Sequence, residues 1–193
     1  AAAFCIAGGG LRRRAENQYH RMGAFEMSHG IDTDTRLADL IQVFDDTLAG
    51  PVCDDIVRRF DKDPRRQRYR SRELLALKDR YFELYRERCP GHFPAQPEYE
   101  AIRIKRYDAA SGDQFDEHVD CYNPFTAQRF LVMFWYLNDV DLGGETAFRE
   151  LGVKVQPRRG RLVMFPPFWM YRHAGLRPES GPKYIVSTYM RFE

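Results

Sequence analysis

The sequence predicts an α+β chain, mainly β, in which two helices precede a half built of short strands. Three observations carry that expectation. Apolar residues recur at helical spacing between residues 51 and 88, and from residue 101 at every second position. The helical stretch ends in Cys89-Pro90-Gly91, a stop signal. Beyond it, short apolar runs are parted by turn residues roughly every 8–12 positions, the pattern of a sandwich or barrel.

In chain order, residues 1–35 are rich in Gly and Arg without sustained periodicity and are read as a leader. One domain is expected over 36–193, with helical support in 36–100 and the strand core in 101–193. The apolar start, Ala1 to Ala7, carries its arginines (Arg12, Arg13, Arg14) after the apolar run, the reverse of a secretory signal. Lacking an initiator Met, this end is read as a processed start or an expression remnant and is kept out of the fold argument.

Leu40-Ile41-Gln42-Val43-Phe44 is of strand type and is closed by Asp45 and Asp46. Pro51 suits a first helical position, and Val52, Ile56, Val57 and Phe60 form one helical face behind it. Arg58 to Arg72 is strongly basic, with Arg65, Arg66, Arg68 and Arg70 between and Asp63-Pro64 as a breaker. It reads either as a patch for an acidic substrate or nucleic acid, or as a solvated helix end and loop; only Tyr69 interleaves with the arginines, where stacking platforms need more aromatics. A second helix runs from the cap residue Ser71 to Arg88, with Leu74, Leu77, Tyr81, Leu84 and Tyr85 on its apolar side.

A Pro-rich connector, His92 to Pro97, leads into the strands. Ile102 and Ile104 share one strand face, with Arg103, Lys105 and Tyr107 on the other. Arg129 to Asn138 is apolar on both faces, and Asp141-Leu142-Gly143-Gly144-Glu145-Thr146 is turn chemistry. Val153 to Val155, Arg161 to Phe165 (closed by Pro166-Pro167) and Tyr184 to Phe192 complete the strands.

Composition excludes several classes. With 44% hydrophobic and 30% charged residues the chain reads as soluble and globular, and a formal charge of +2 gives no bulk attraction to nucleic acid or membrane. The longest apolar run, Phe130 to Leu137, is far short of the ~20 residues that span a bilayer. Cys5, Cys53, Cys89 and Cys121 are scattered, against a zinc ribbon or a disulfide framework and for reduced thiols in the cytoplasm.

Of the five histidines, His20 and His29 lie in the leader and His92 in the connector, leaving His118 and His173 in the β half. His118 and Asp120 stand at i and i+2, so on a strand or strand end they point to the same side. Two histidines and a carboxylate on one face of an ion, with open positions opposite, describe the facial arrangement of non-heme Fe(II) sites. Each histidine alone reads equally as an ordinary hydrogen-bonded one. Ten residues past His173, Lys183 opens the last strand and shares its face with Ile185, Ser187 and Tyr189. Its charge needs an answer among apolar neighbours, either from a ligand carboxylate or by snorkelling out of the barrel mouth. Tyr122, Trp135, Trp169 and Arg191 read as residues of the mouth or as core and rim packing.

His118-x-Asp120, Tyr136-Leu137-Asn138-Asp139-Val140-x-x-Gly143-Gly144-Glu145-Thr146-x-Phe148, Pro157-x-x-Gly160, His173 and Gly181-x-Lys183-Tyr184-Ile185 follow one another in that order. Together they resemble the prolyl 4-hydroxylase branch of the 2-oxoglutarate/Fe(II) oxygenases over residues 101–193. The resemblance implies a double-stranded β-helix, or jelly roll, with iron held by His118, Asp120 and His173. It implies that Lys183 holds the distal carboxylate of 2-oxoglutarate, with Tyr107 beside the cosubstrate and Tyr136 as a second tyrosine pointing inward. Phe115 stands where many relatives carry Tyr, which removes a hydroxyl there.

The activity so implied is hydroxylation of a prolyl or other amino-acid side chain, in a peptide, a protein or a free amino acid. It would use Fe(II), 2-oxoglutarate and O2 and release succinate and CO2, with ascorbate as a candidate reductant. Beside it stand a nucleic-acid or nucleotide oxygenase using the basic run, and a non-enzymatic jelly roll that keeps metal as a sensing module. No membrane partner is expected.

Overall fold

A computed structural model describes residues 35–65, 67–69 and 71–193. The leader expected over 1–35 lies outside them save for its last residue, as do Arg66 and Arg70 of the basic run. Among the described residues the chain runs β1 (Gln42–Phe44), α1 (Gly50–Lys62), α2 (Arg72–Arg88), β2 (Glu98–Tyr99), β3 (Arg103–Tyr107), β4 (Phe115–His118) and β5 (Arg129–Tyr136). It continues through β6 (Thr146–Phe148), β7 (Val153–Val155), β8 (Leu162–Phe165), β9 (His173–Gly175) and β10 (Lys183–Arg191), with short 3-10 turns between.

The helices begin where the local chemistry allows. Pro51, whose missing N–H costs nothing in a first turn, opens α1. The Ser71 hydroxyl accepts from the Leu74 amide at 3.4 Å and caps α2. α1 buries Cys53, Ile56 and Phe60, so its face is centred on the expected Ile56–Phe60 pair but takes in Cys53 and leaves Val52 and Val57 at its edges. α2 buries Leu74, Lys78, Phe82 and Tyr85, while Leu77, Tyr81 and Leu84 pack around the margin. The stripe rotates because the Lys78 stem is apolar surface. Its ammonium lies 4.2 Å from the Tyr99 ring centroid and pairs with Asp79, and Phe82 closes on Phe93 and Phe130.

All strand pairs are antiparallel and fall in two sheets. A six-stranded sheet runs β1-β8-β5-β10-β2, with β3 also pairing β10; a four-stranded sheet runs β4-β9-β6-β7. β5 sits at the centre and shows why Phe130 to Leu137 is apolar on both sides. Leu131, Met133, Trp135 and Leu137 pack on the α1 and α2 side with Ile56, Leu74 and Phe82. Val132, Phe134 and Tyr136 face the other sheet with Phe148, Val155 and Phe165. A central strand covered by helices on one face and a second sheet on the other must be apolar at every position. Trp135 is therefore fully buried core, its indole N–H donating to Thr47 Oγ1 at 3.0 Å, and it does not line a mouth.

Two turns bring the sheets together at one end. Gly143 and Gly144 both have φ near +75° (72° and 78°), and a Cβ on Gly143 would stand 2.4 Å from the Arg177 carbonyl oxygen. The Gly144 amide donates to that same oxygen at 2.9 Å, pinning the turn before β6 to the loop before β10. Among the described residues no helix is long and apolar enough to cross a membrane.

Candidate active site

β4 ends at His118, and the chain bends two residues later so that the amides of Asp120 and Cys121 donate to the Pro167 carbonyl at 3.2 and 3.0 Å. β9 starts at His173 and pairs with β4 across a bulge between Phe115 and His118 that sets His118 opposite His173. Two sequence-distant histidines are thereby neighbours, their ring centroids 4.2 Å apart. His118 Nε2 lies 3.9 Å from Asp120 Oδ1 and His173 Nε2 3.6 Å from Oδ2. One donor atom from each of the three residues falls within 4.8 Å of the others.

Backbone carbonyls set the tautomers. His118 Nδ1 lies 2.7 Å from the Asp116 carbonyl oxygen and His173 Nδ1 lies 3.0 Å from that of Tyr171. A carbonyl only accepts, so each Nδ1 donates, and each Nε2 is the ring atom turned toward Asp120. Burial of His173 between Phe148 and Phe165 pushes its pKa down to about 4, against a smaller opposing pull from Asp120. It is neutral near pH 7, as a metal ligand must be. The donor set, its tautomers and its convergence fit a divalent ion with open positions.

Asp120 is held from behind. The Tyr189 hydroxyl donates to its Oδ1 at 2.7 Å, and Arg129 Nη1 donates to its backbone carbonyl at 2.9 Å. Arg129 is itself gripped by both Glu100 oxygens at 2.6 and 2.9 Å and lies 3.8 Å over the Tyr189 ring. Such outer contacts orient ligands and keep a carboxylate aimed. Tyr189 has the same strand face as Lys183, which period-two spacing shows, but nothing in the residue order ties its hydroxyl to Asp120.

The three residues open into a cavity that also reaches Tyr107, Tyr136 and Lys183. Lys183 is only 2% exposed, so it does not snorkel out of the barrel. Its ammonium donates to the carbonyls of Gly144 (2.9 Å) and Leu176 (3.1 Å) and forms no ion pair among the described residues. Burial pulls its pKa down to about 8, with Glu145 opposing from a distance. Two carbonyls leave one of the three N–H donors over.

Tyr107 stands opposite Lys183 in the β3–β10 register, its ring 4.5 Å from the ammonium, and burial pushes its phenol up to about 12. Tyr136 points inward as expected, but its hydroxyl is engaged within the protein, at 2.6 Å from Thr146 Oγ1 and 3.2 Å from the Val155 carbonyl. Phe115 packs edge-on against His118 with centroids 4.0 Å apart. Tyr122 and Trp169 are 72% and 78% exposed and touch neither the buried donors nor Lys183.

Two antiparallel sheets that bring two histidines and one carboxylate together at one end form a jelly roll with a candidate facial metal site. Residues 102–191 match the family model of the 2OG-Fe(II) oxygenase superfamily. The chain is 34% identical over 96 residues to "Probable prolyl 4-hydroxylase 11" of Arabidopsis thaliana, a match covering 46% of this chain and 32% of that protein. "Prolyl 4-hydroxylase 13" of the same plant is 31% identical over 87 residues, 35% of this chain and 31% of its own length. The matches thus span about a third of these relatives.

Among solved structures, the viral collagen prolyl hydroxylase of Paramecium Bursaria Chlorella virus-1, in its 2OG complex, superposes with a TM-score of 0.66 at 21% identity. That superposition covers 80% of this chain and 96% of the viral one. A prolyl-4-hydroxylase of Pseudomonas putida gives 0.63 at 17% identity, covering 79% and 85%. At these identities the likeness establishes the shared double-stranded β-helix fold.

Proposed function

We propose that the protein is a 2-oxoglutarate- and O2-dependent Fe(II) hydroxylase acting on a prolyl or other amino-acid side chain. The observation that carries the reading is one cavity holding the convergent donors of His118, Asp120 and His173 together with the buried ammonium of Lys183, which has no ion-pair partner among the described residues. In this reading His118, Asp120 and His173 hold the iron. When bound, iron with 2-oxoglutarate and O2 supplies the oxidising chemistry, coupling decarboxylation of the 2-oxo acid to succinate and CO2 with insertion of one oxygen atom into a C–H bond.

The remaining tasks belong to the chain's own residues. Lys183 takes the distal carboxylate of 2-oxoglutarate with its free N–H, in a site where burial strengthens the charge-assisted bond. Tyr107, across from it, supplies the adjoining wall and a hydroxyl facing the cavity. Tyr136 bounds the same cavity, its hydroxyl bracing β6 and β7 through Thr146 and Val155. Tyr189 and Arg129 keep Asp120 aimed, and Phe134, Phe148 and Phe165 exclude water around His173. The protein positions and shields; the cofactor carries the hard chemistry.

The names of the relatives support a prolyl substrate, and a prolyl hydroxylase from Trichoplax adhaerens, solved with a peptide of hypoxia inducible factor, shares the fold with a TM-score of 0.59. We favour a peptide or a free amino acid over nucleic acid. Arg58 and Arg59 are paired with Asp55, and Arg65 with Asp63, so much of the described basic run is already answered. The unbridged Cys53, Cys89 and Cys121 support a cytoplasmic setting.

The test is succinate release with Fe(II), 2-oxoglutarate and O2, with and without ascorbate, across prolyl peptides and free amino acids, read together with a mass gain of one oxygen. Turnover should fall more than about 100-fold in His118→Ala and Asp120→Ala, beyond what outer contacts cost. Undiminished turnover in either would overturn the ligand assignment.

A further inference from the structure

Lys105 is a second lysine in the cavity, and the reading above gives it no task. It lies on β3 two residues from Tyr107, hence on the same inward face and about 6.7 Å along the strand. Its β10 partner is Ile185, so it stands one inward row from the Lys183–Tyr107 pair, on the way to Ser187 and Tyr189. Among the described residues it forms no ion pair; its ammonium lies 5.3 Å from the centroid of the Phe115 ring. The neighbouring arginine is spent: Arg129 is clasped by Glu100. Asp120 attracts Lys105 from beyond contact distance, while Arg103 and Arg129 repel it.

The position matters as much as the missing partner. Lys105, Tyr107 and Phe115 line both the inner cavity and a shallower groove outside it, bordered by Gln67, Arg103 and Asp113. Lys105 therefore stands at the passage between the two, half-buried, beside a Phe115 ring that is 43% exposed. Charge balance points the same way. With iron and 2-oxoglutarate in place, the metal's two positive charges and Lys183 offset the dianionic cosubstrate and Asp120. The charge of Lys105 is left over, in a partly desolvated place where an unanswered ammonium is costly.

We propose that Lys105 is a specificity-determining residue that takes a carboxylate of the substrate. The accepted side chain is then one that sits beside an acid: a residue with Asp or Glu as near neighbour in a peptide, or a free amino acid with its own α-carboxylate. This rests on the hydroxylase reading and names its substrate class.

The test uses the full chain with Mn(II) in place of iron and saturating 2-oxoglutarate, and measures binding by calorimetry for matched probes. The pairs are L-proline against L-prolinamide, and blocked Glu-Pro-Gly against blocked Gln-Pro-Gly peptides. In the wild type the acid member of at least one pair should bind about tenfold or more tightly. That preference should vanish in Lys105→Met, persist in Lys105→Arg and invert in Lys105→Glu, with 2-oxoglutarate affinity unchanged throughout. Equal binding of acid and amide by the wild type, or a preference that survives Lys105→Met, would overturn the proposal. So would a loss of 2-oxoglutarate affinity in Lys105→Met, which would give Lys105 to the cosubstrate. A wild type that binds no 2-oxoglutarate would overturn the hydroxylase reading itself, an outcome distinct from the others.

Discussion

Lys183 keeps a positive charge in the protein interior with two backbone carbonyls for company and, among the described residues, no carboxylate. Burial brings its pKa down to about 8, so the free protein begins to lose this charge not far above neutrality. A lysine must be protonated to hold a carboxylate, so cosubstrate affinity should be constant below about pH 8 and weaken roughly tenfold per unit above it. Calorimetric titration of 2-oxoglutarate into the Mn(II)-loaded protein between about pH 6.5 and about pH 9.5 checks this. Lys183→Arg should flatten the profile, because guanidinium stays charged, while Lys183→Met should lose about 10- to 100-fold at every pH. A profile that does not bend in the wild type would place the carboxylate elsewhere.

The Gly143-Gly144 turn and the start of β10 work as one element. Gly144 lends its carbonyl to Lys183, and a Cβ on Gly144 would meet Pro157 and Val140 at 3.3 Å and the Lys183 Cδ at 3.5 Å. Gly143 is more constrained still, with left-handed φ and the Arg177 carbonyl oxygen 2.4 Å from where a Cβ would go. Gly143→Ala should therefore cost about 2 kcal/mol or more in urea unfolding. Because the turn must shift to relieve the clash, it should also weaken 2-oxoglutarate binding, although Gly143 itself does not touch Lys183. A variant that loses stability but keeps full cosubstrate affinity would separate the turn from the anchor. The helices show how far such elements are legible in residue order. Ser71, Pro51 and the Cys89-Pro90-Gly91 stop are local signals and mark both helices closely. The buried stripe of α2 is less so, because Lys78 enters it through an apolar stem and a ring contact that only the folded chain supplies.

For the molecule as a whole, the site staples the two sheets. His118, Asp120 and His173 belong to the end of the four-stranded sheet, while Lys183 and Tyr189 come from β10 of the six-stranded one. A metal and a cosubstrate bound between them bind the folded state alone and should stabilise it by mass action. At a hundredfold excess over Kd that is about 2.7 kcal/mol. For a domain of this size it raises the thermal midpoint by about 5–10 °C. Scanning calorimetry with Mn(II) and 2-oxoglutarate together should show the rise, and EDTA should abolish it. Asp120→Ala should show none. An equal rise with 2-oxoglutarate alone would mean that the cosubstrate is held without the metal.

Residue order was enough for the two helices and the succession of short strands, and to single out His118, Asp120, His173 and Lys183 as candidates. Those signals are periodic or local: a switch from 3.6 to 2, a pair at i and i+2, a lysine at a strand start. What depended on the tertiary structure was every relation across the sheets. That His118 lies opposite His173 is set by the β4–β9 register, and that Lys183 faces Tyr107 by the β3–β10 register. The Nε2 atoms turn toward Asp120 because two backbone carbonyls lie behind the rings and hold each Nδ1. Tyr189 and Lys105 join the site because strands that are distant in the chain stack their inward rows into one cavity. Periodicity tells which way a side chain points; only the pairing of strands tells what it meets there.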